Sequence, residues 1–420
     1  MKQKNEIFEI VVIEKLVHGG QGLGTLEDGR RAFVWNTLPG ETVKARITKK
    51  KKDFVEGVAE EIIVKSRQRI EPKELIYLAT SPWQMMTLDA EISAKKAIID
   101  ETFQREGVDL PHFKMVSDGN EFGYRNKMEF SFYGDDEGLH YAFYNRGTHQ
   151  KQIVKDSALA LHAINEAAKN LLIELNRINV RAGDLKSVIL RTSQEGKTVG
   201  ALFVKPSTFP DIIMPDGLSG IKIYHSNPRS PASVATKLLR TLGDVELSDN
   251  LLGVRITYDV IGFFQVNLPV FELALKSIDN FTGGSDNKID MYSGVGTIGI
   301  PIGGTKTLVE LDTANVAMAR QNVGSLQIEV VQASSEKALE YIVASSCLIV
   351  DPPRSGLHKD VVSQILDQKP KQVCYLSCNP STQARDCALL LERYNITAFE
   401  GYNFFPRTPH IETLLVLELK

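Results

Sequence analysis

The sequence predicts an α/β protein: a doubly wound, Rossmann-like C-terminal domain, preceded by an OB-like β-barrel and a central α+β domain. Three observations predict it. Beyond about residue 286, short apolar strands alternate with helical segments, the pattern of a mostly parallel sheet. Residues 7–64 show only strand-like alternation, broken by Gly-Gly, Asp-Gly and Pro-Gly. The full length of 420 residues exceeds that of one ordinary domain.

Taken in order, IFEIVVIEKL, GGQGLGTLEDGRRAFVW and ETVKARITKKKKDFVEGVAEEIIV read as the strands of a five-stranded barrel, residues 1–65. Its basic run of Lys44, Arg46, Lys49, Lys50, Lys51 and Lys52 reads as a solvated hairpin or as a groove for nucleic acid. Residues 66–255 form the expected central domain. Apolar spacing of three and four predicts a helix from Trp83 to about Gly107. FGYRNKMEFSFY with GLHYAFYN, and SVILRTS with TVGALFVK, read as paired strands, and ALALHAINEAAKNLLIELNRI reads as a helix. In the C-terminal domain, residues 256–420, strands are expected to end at Met291 or Tyr292, Leu311, Ala333, Asp351 and Cys378. Ligands of such sheets sit at those ends.

With 43% hydrophobic and 24% charged residues, the composition is that of a globular protein. No apolar run approaches the roughly 20 residues that cross a bilayer. MKQKNEIFEIVV is not a signal peptide, so no membrane association and a cytoplasmic location are expected. The net charge of −3 disfavours nucleic acid only when averaged over the chain, because phosphate binds to local patches. The four cysteines, Cys347, Cys374, Cys378 and Cys387, are too few for a disulfide framework and lack CxxC spacing, which implies reduced thiols.

Five motifs carry chemistry. In DMYSGVGTIG (290–299), Gly294, Gly296 and Gly299 permit a tight turn and a close ligand, and Glu310 ends the next strand, where a carboxylate suits ribose hydroxyls. Alone, this loop fits a nicotinamide dinucleotide as well as S-adenosylmethionine. In VDPPRSGL (350–357), two prolines stiffen the chain behind Asp351, which reads as a fixed polar group or as a plain turn. In YLSCNPSTQARD (375–386), Cys378 ends a strand, Ser381 or Thr382 caps the next helix, and the helix dipole favours thiolate. In FFPRTPHIETLLVLEL (404–419), Glu412 precedes a terminal apolar strand, where burial raises its pKa toward that of a general base. In GFFQVN (262–267), Gln265 adjoins Phe263 and Phe264.

The order of these motifs closely resembles that of the RNA uracil-5-methyltransferase family. LPGETVKARITKKKK is similar to the TRAM domain, an RNA-binding OB-type module of the family's ribosomal branch, and GYRNKMEFSF resembles the family's central domain. The resemblance implies methyl transfer from S-adenosylmethionine to carbon 5 of a uridine, with Cys378 as nucleophile, Glu412 as base and Asp351 orienting the uracil and contacting the cofactor. Gln265, Tyr292, Gly294, Gly296 and Glu310 would hold the cofactor. Phe263 or Phe264 would stack on the unstacked base, and Lys49–Lys52 would contact RNA. It also implies that the helix near 86–110 packs on the catalytic domain. The expected partner is 23S ribosomal RNA, with transfer RNA the alternative, and no obligate protein partner is evident. Many members hold an iron–sulfur cluster through four cysteines. Here EPKELIYLATSPWQMM and Ser157 lack them, so no cluster and no metal are expected. Ala333 stands where the family often has a cofactor-binding aspartate. Two readings from other classes remain at this point: a nicotinamide oxidoreductase explains only the glycine loop, and a catalytically silent RNA-binding protein leaves Cys378 and Glu412 without a role.

Overall fold

The computed structural model describes residues 7–146, 150–230 and 232–420. The chain forms two compact units. One comprises Met1–Glu101, Phe143–Gln152 and Phe405–His410; the other comprises Thr102–Ala142, Ile153–Phe404 and Ile411–Lys420.

In the first unit, Phe8–Leu16, Gly22–Thr25, Arg31–Trp35, Thr42–Lys50 and Phe54–Val64 close into a five-stranded barrel. Period-2 alternation makes it close: Val11, Ile13, Ala32, Val34, Val43, Ala45, Val55 and Ala59 all point into one core. The Lys49–Lys52 run lies at the exposed tip where the last two strands meet. Further along, Gln84 ties the segment that lacks the family's cysteines. Its side-chain carbonyl accepts from the Lys73 and Glu74 amides at 2.9 and 3.2 Å. The Phe405–His410 segment is anchored to helix residues of the same unit, the Arg407 amide donating to Glu91 at 2.9 Å and Lys95 to the Phe405 carbonyl at 3.1 Å.

The second unit contains most of a seven-stranded sheet, in which Leu185–Thr192 pairs antiparallel with both Lys127–Asp135 and Thr198–Val204. The helix His162–Arg177 covers it with Ile164, Ala167, Ala168, Leu171 and Leu175, one stripe at helical spacing.

The unit's largest sheet has eight strands, in the order Glu329–Gln332, Thr305–Glu310, Lys288–Met291, Cys347–Val350, Gln372–Ser377, Glu412–Leu419, Tyr394–Tyr402 and Met115–Val116. The first five run parallel. Glu412–Leu419 is antiparallel to both of its neighbours. Helices cover a parallel sheet on both faces, and Lys288–Met291 and Cys347–Val350 are accordingly buried throughout. Four strands stop one residue before the expected ends, at Glu310, Gln332, Val350 and Ser377. Asp351 and Cys378 therefore lie just past the last ladder bonds. The cap of the helix Pro380–Leu390 is Asn379, not Ser381 or Thr382. Pro380 takes the first helical position, so the residue before it is the cap, and Asn379 Oδ1 accepts from the Ser381 amide at 3.2 Å. Among the described residues, no helix is long and apolar enough to cross a membrane.

Candidate active site

One register brings the two principal residues together. Ser377 pairs antiparallel with Thr413 as the last pair of the ladder, so Cys378 and Glu412, the residues that flank that pair, leave it on the same side, close enough for Glu412 to act on the thiol. Gln383 locks the junction, donating to the Tyr375 carbonyl at 2.8 Å while its side-chain oxygen accepts from Thr413 Oγ1 at 2.7 Å. Asp351 leaves the neighbouring strand at the same edge. The loop behind it is tied down: Asn379 donates to the Arg354 carbonyl at 2.7 Å, and the Leu357 amide donates to Asp386 at 2.8 Å.

The electrostatics of this edge are those of acids crowded out of water. Burial lifts Asp351 to about 7. Glu412 is 6% exposed, and burial raises it well above the usual carboxylate range, with Asp351 adding and Arg354 opposing. The Cys378 thiol is likewise pushed up to about 11, by burial first and then by Glu412 and Asp351, against the charge and hydrogen bond of Arg354. The expected bias toward thiolate is thus overturned. Burial and two carboxyls outweigh the helix end, and Arg354 is the cation that counters them. Arg354 was not among the residues singled out from the sequence.

The glycine loop lies at the end of Lys288–Met291. Gly294 has φ +57°, and a Cβ there would meet open space, so a ligand can approach its backbone. Both Glu310 oxygens are held by backbone, Oε2 accepting from the Gly294 amide at 2.9 Å and Oε1 from the Asp312 amide at 2.7 Å. Asp290, also missed from the sequence, braces the loop by accepting from the Gly299 amide at 2.8 Å. Its other oxygen has no partner, and burial lifts the acid to about 8. Gly296 and Gly299 serve packing, since a Cβ would lie 2.4 Å from Ile300 and 2.7 Å from Leu308, respectively. Tyr292 (φ +65°) lines a cavity of about 600 Å³ with Ser335, Pro353, Gly356, His358 and Arg385.

Gln265 is held by its backbone, its carbonyl accepting from Asn126 Nδ2 at 3.0 Å. The two rings beside it differ. Phe264 is 2% exposed and stacks on Tyr258 at 3.8 Å, whereas Phe263 is 64% exposed. Only Phe263 therefore offers a ring face, which narrows the expectation that either could stack on a base. Lys49 is salt-bridged to Glu56 at 2.6 Å. Among the described residues, no group of three or more His, Cys, Asp or Glu is placed to hold a metal ion.

Residues 337–420, which contain Asp351, Cys378 and Glu412, match the tRNA (uracil-5-)-methyltransferase family model, and residues 3–59 match the TRAM domain. An RNA methyltransferase of Prochlorococcus marinus is 29% identical over 91% of this chain and 99% of its own length. Another from Listeria innocua is 29% identical over 100% of this chain and 99% of its own. The crystal structure of Pyrococcus abyssi tRNA (uracil-54, C5)-methyltransferase with S-adenosyl-L-homocysteine has the same fold, with a TM-score of 0.79 at 23% identity, covering 97% of this chain and 100% of that one. The chain is thus similar to the tRNA (uracil-5-)-methyltransferase family over residues 337–420 and to the TRAM domain over residues 3–59, and it shares the fold of the Pyrococcus abyssi enzyme.

Proposed function

We propose that the protein methylates carbon 5 of a uridine in RNA through a covalent Cys378–uracil adduct, using S-adenosylmethionine. The observation that carries this reading is the antiparallel register that brings Cys378 close to a buried Glu412, with Asp351 at the same edge. Residues at the glycine loop fit the cofactor. Gly294 leaves its backbone open, and Glu310 is fixed at the end of its strand for the ribose. When bound there, the cofactor supplies an electrophilic methyl group.

The residues divide the remaining work. The thiolate form of Cys378, a minor fraction of the raised thiol that Arg354 favours, adds to uracil carbon 6, and the electron pair displaced makes carbon 5 nucleophilic. Asp351 hydrogen-bonds the polar edge of the base, and Phe263 stacks on its face. After carbon 5 has taken the methyl group, Glu412 accepts the proton left there. Those electrons re-form the 5,6 double bond, and the carbon–sulfur bond breaks to return the thiolate. A buried carboxylate is a stronger proton acceptor than one in water, which suits this step.

The N-terminal barrel supports 23S ribosomal RNA as substrate. Transfer RNA is the second reading, favoured by the substrate of the Pyrococcus abyssi enzyme. Transfer of labelled methyl groups to separated ribosomal and transfer RNA, followed by mapping of the modified base, tests both. Label on 5-methyluridine in one pool is expected; label on any other atom or base would overturn the reading.

A further inference from the structure

Arg191 is 1% exposed on the strand Leu185–Thr192, and its guanidinium donates to one distant loop. It donates to the carbonyls of Asp259, Gly262 and Phe264 at 3.3, 3.1 and 3.3 Å. Its guanidinium also lies over the stacked rings of Tyr258 and Phe264, 5.3 and 5.9 Å from their centroids. The peptide carbonyls of 259–264 therefore converge on one planar cation, and the rings flanking the loop cover it. Lys222 salt-bridges Asp259 at the start of the same loop. Phe263, the residue this arrangement leaves outside, projects into solvent.

We infer that Arg191 is a positioning residue that holds the 259–264 loop so that Phe263 is presented as a rigid stacking face for the target base or its neighbour. This rests on the proposed role of Phe263. The chemistry explains why arginine is needed. Five donors in a fixed plane reach several carbonyls while the faces remain free to stack, which a lysine ammonium cannot do. An exposed ring on a loose loop would have to be ordered at each binding event; one held in advance would not. The next residue of functional interest, Gln265, is tied separately by Asn126, so loosening the loop should spare the cofactor site.

The test is a double-mutant cycle on kcat/KM for methylation of RNA, with S-adenosylhomocysteine binding and thermal unfolding measured in parallel. Phe263→Ala should lower kcat/KM roughly 5- to 150-fold, the range of one base–aromatic stack. Arg191→Lys should lower it in the same direction while changing S-adenosylhomocysteine affinity far less. The double variant should be no worse than the weaker single variant, because the ring is already unplaced. If Arg191→Lys does not fold, Phe264→Leu loosens the same loop from its ring side and gives the same cycle. Additive losses would leave Phe263 as a stacking residue and remove Arg191 from its support. A fully active Phe263→Ala enzyme would remove the stacking role and the inference with it, while leaving the Cys378 chemistry untouched.

Discussion

The barrel tip and the C-terminal edge of the eight-stranded sheet both gather charged groups, and they treat water in opposite ways. At the barrel, cations meet carboxylates in solvent, Arg46 with Glu60 and Lys49 with Glu56. Such pairs contribute about 0–1 kcal/mol and exchange freely for other anions. At the sheet edge, Asp351 lies close enough to raise both Asp290 and Glu412, and burial raises all three carboxyls. A raised carboxyl binds a proton more readily than one in water, a pattern more often found where protons are moved than where a fold is braced. On the proposed reading, this difference matches chemistry at the sheet and RNA attachment at the barrel.

The largest effect should come from the pair at the edge. Cys378→Ala should give neither adduct nor product. Glu412→Gln keeps the nucleophile and loses the acceptor, so turnover should fall by about 10²- to 10⁴-fold, the range of a general base. Addition and methyl transfer would still proceed, and a methylated protein–RNA adduct should accumulate and survive denaturing electrophoresis. Normal turnover by Glu412→Gln, or adduct from Cys378→Ala, would refute the assigned roles.

The parts of this site that were legible in the sequence are those fixed by local chain direction. A polar residue after an apolar strand marks the ligand edge, which is why Asp351 and Cys378 could be found. The approach of Cys378 to Glu412 was not legible, because it depends on the register between Gln372–Ser377 and Glu412–Leu419, which no local pattern states. Arg354 was overlooked because no local pattern shows that carboxyls from two other segments, Glu412 and Asp351, crowd Cys378 and leave Arg354 as the opposing cation. Arg191 was equally hidden: its three carbonyl partners lie 68 to 73 residues away. In the barrel, alternation alone sufficed, since each inward residue meets the same core.

A medium effect concerns stability. Burial raises Asp290 to about 8, from the ordinary aspartate value of 3.8. Between those pH values the folded chain holds a proton that the unfolded chain has released, so stability falls as pH rises and levels off above about 8. Asp290→Asn retains an acceptor for the Gly299 amide and removes this proton. Its stability should therefore fall less steeply with pH, by at most about 1.4 kcal/mol per pH unit. Denaturant midpoints from pH 5 to 8 measure this. Parallel curves for the two proteins would mean that Asp290 is ionised in the folded state.

The smallest effect should come from the barrel tip, and it decides whether attachment is the right word for that region. Replacing Lys49, Lys50, Lys51 and Lys52 with alanine removes up to four phosphate contacts. Single-stranded RNA releases roughly 0.7 counterion per contact, so the slope of log K against log salt should flatten by at most about 2.8. Lys49 already has Glu56 as a partner, at 2.6 Å. Binding a phosphate there exchanges one anion for another, so Lys49→Ala alone should change the slope least of the four single substitutions. S-adenosylhomocysteine affinity and the Glu412→Gln adduct should persist in the quadruple variant, because the proposed chemistry uses none of these lysines. An unchanged salt slope would make the run an ordinary solvated hairpin and move RNA attachment elsewhere on the molecule. Loss of adduct with the slope intact would instead tie the barrel tip to catalysis and break the division of labour drawn above.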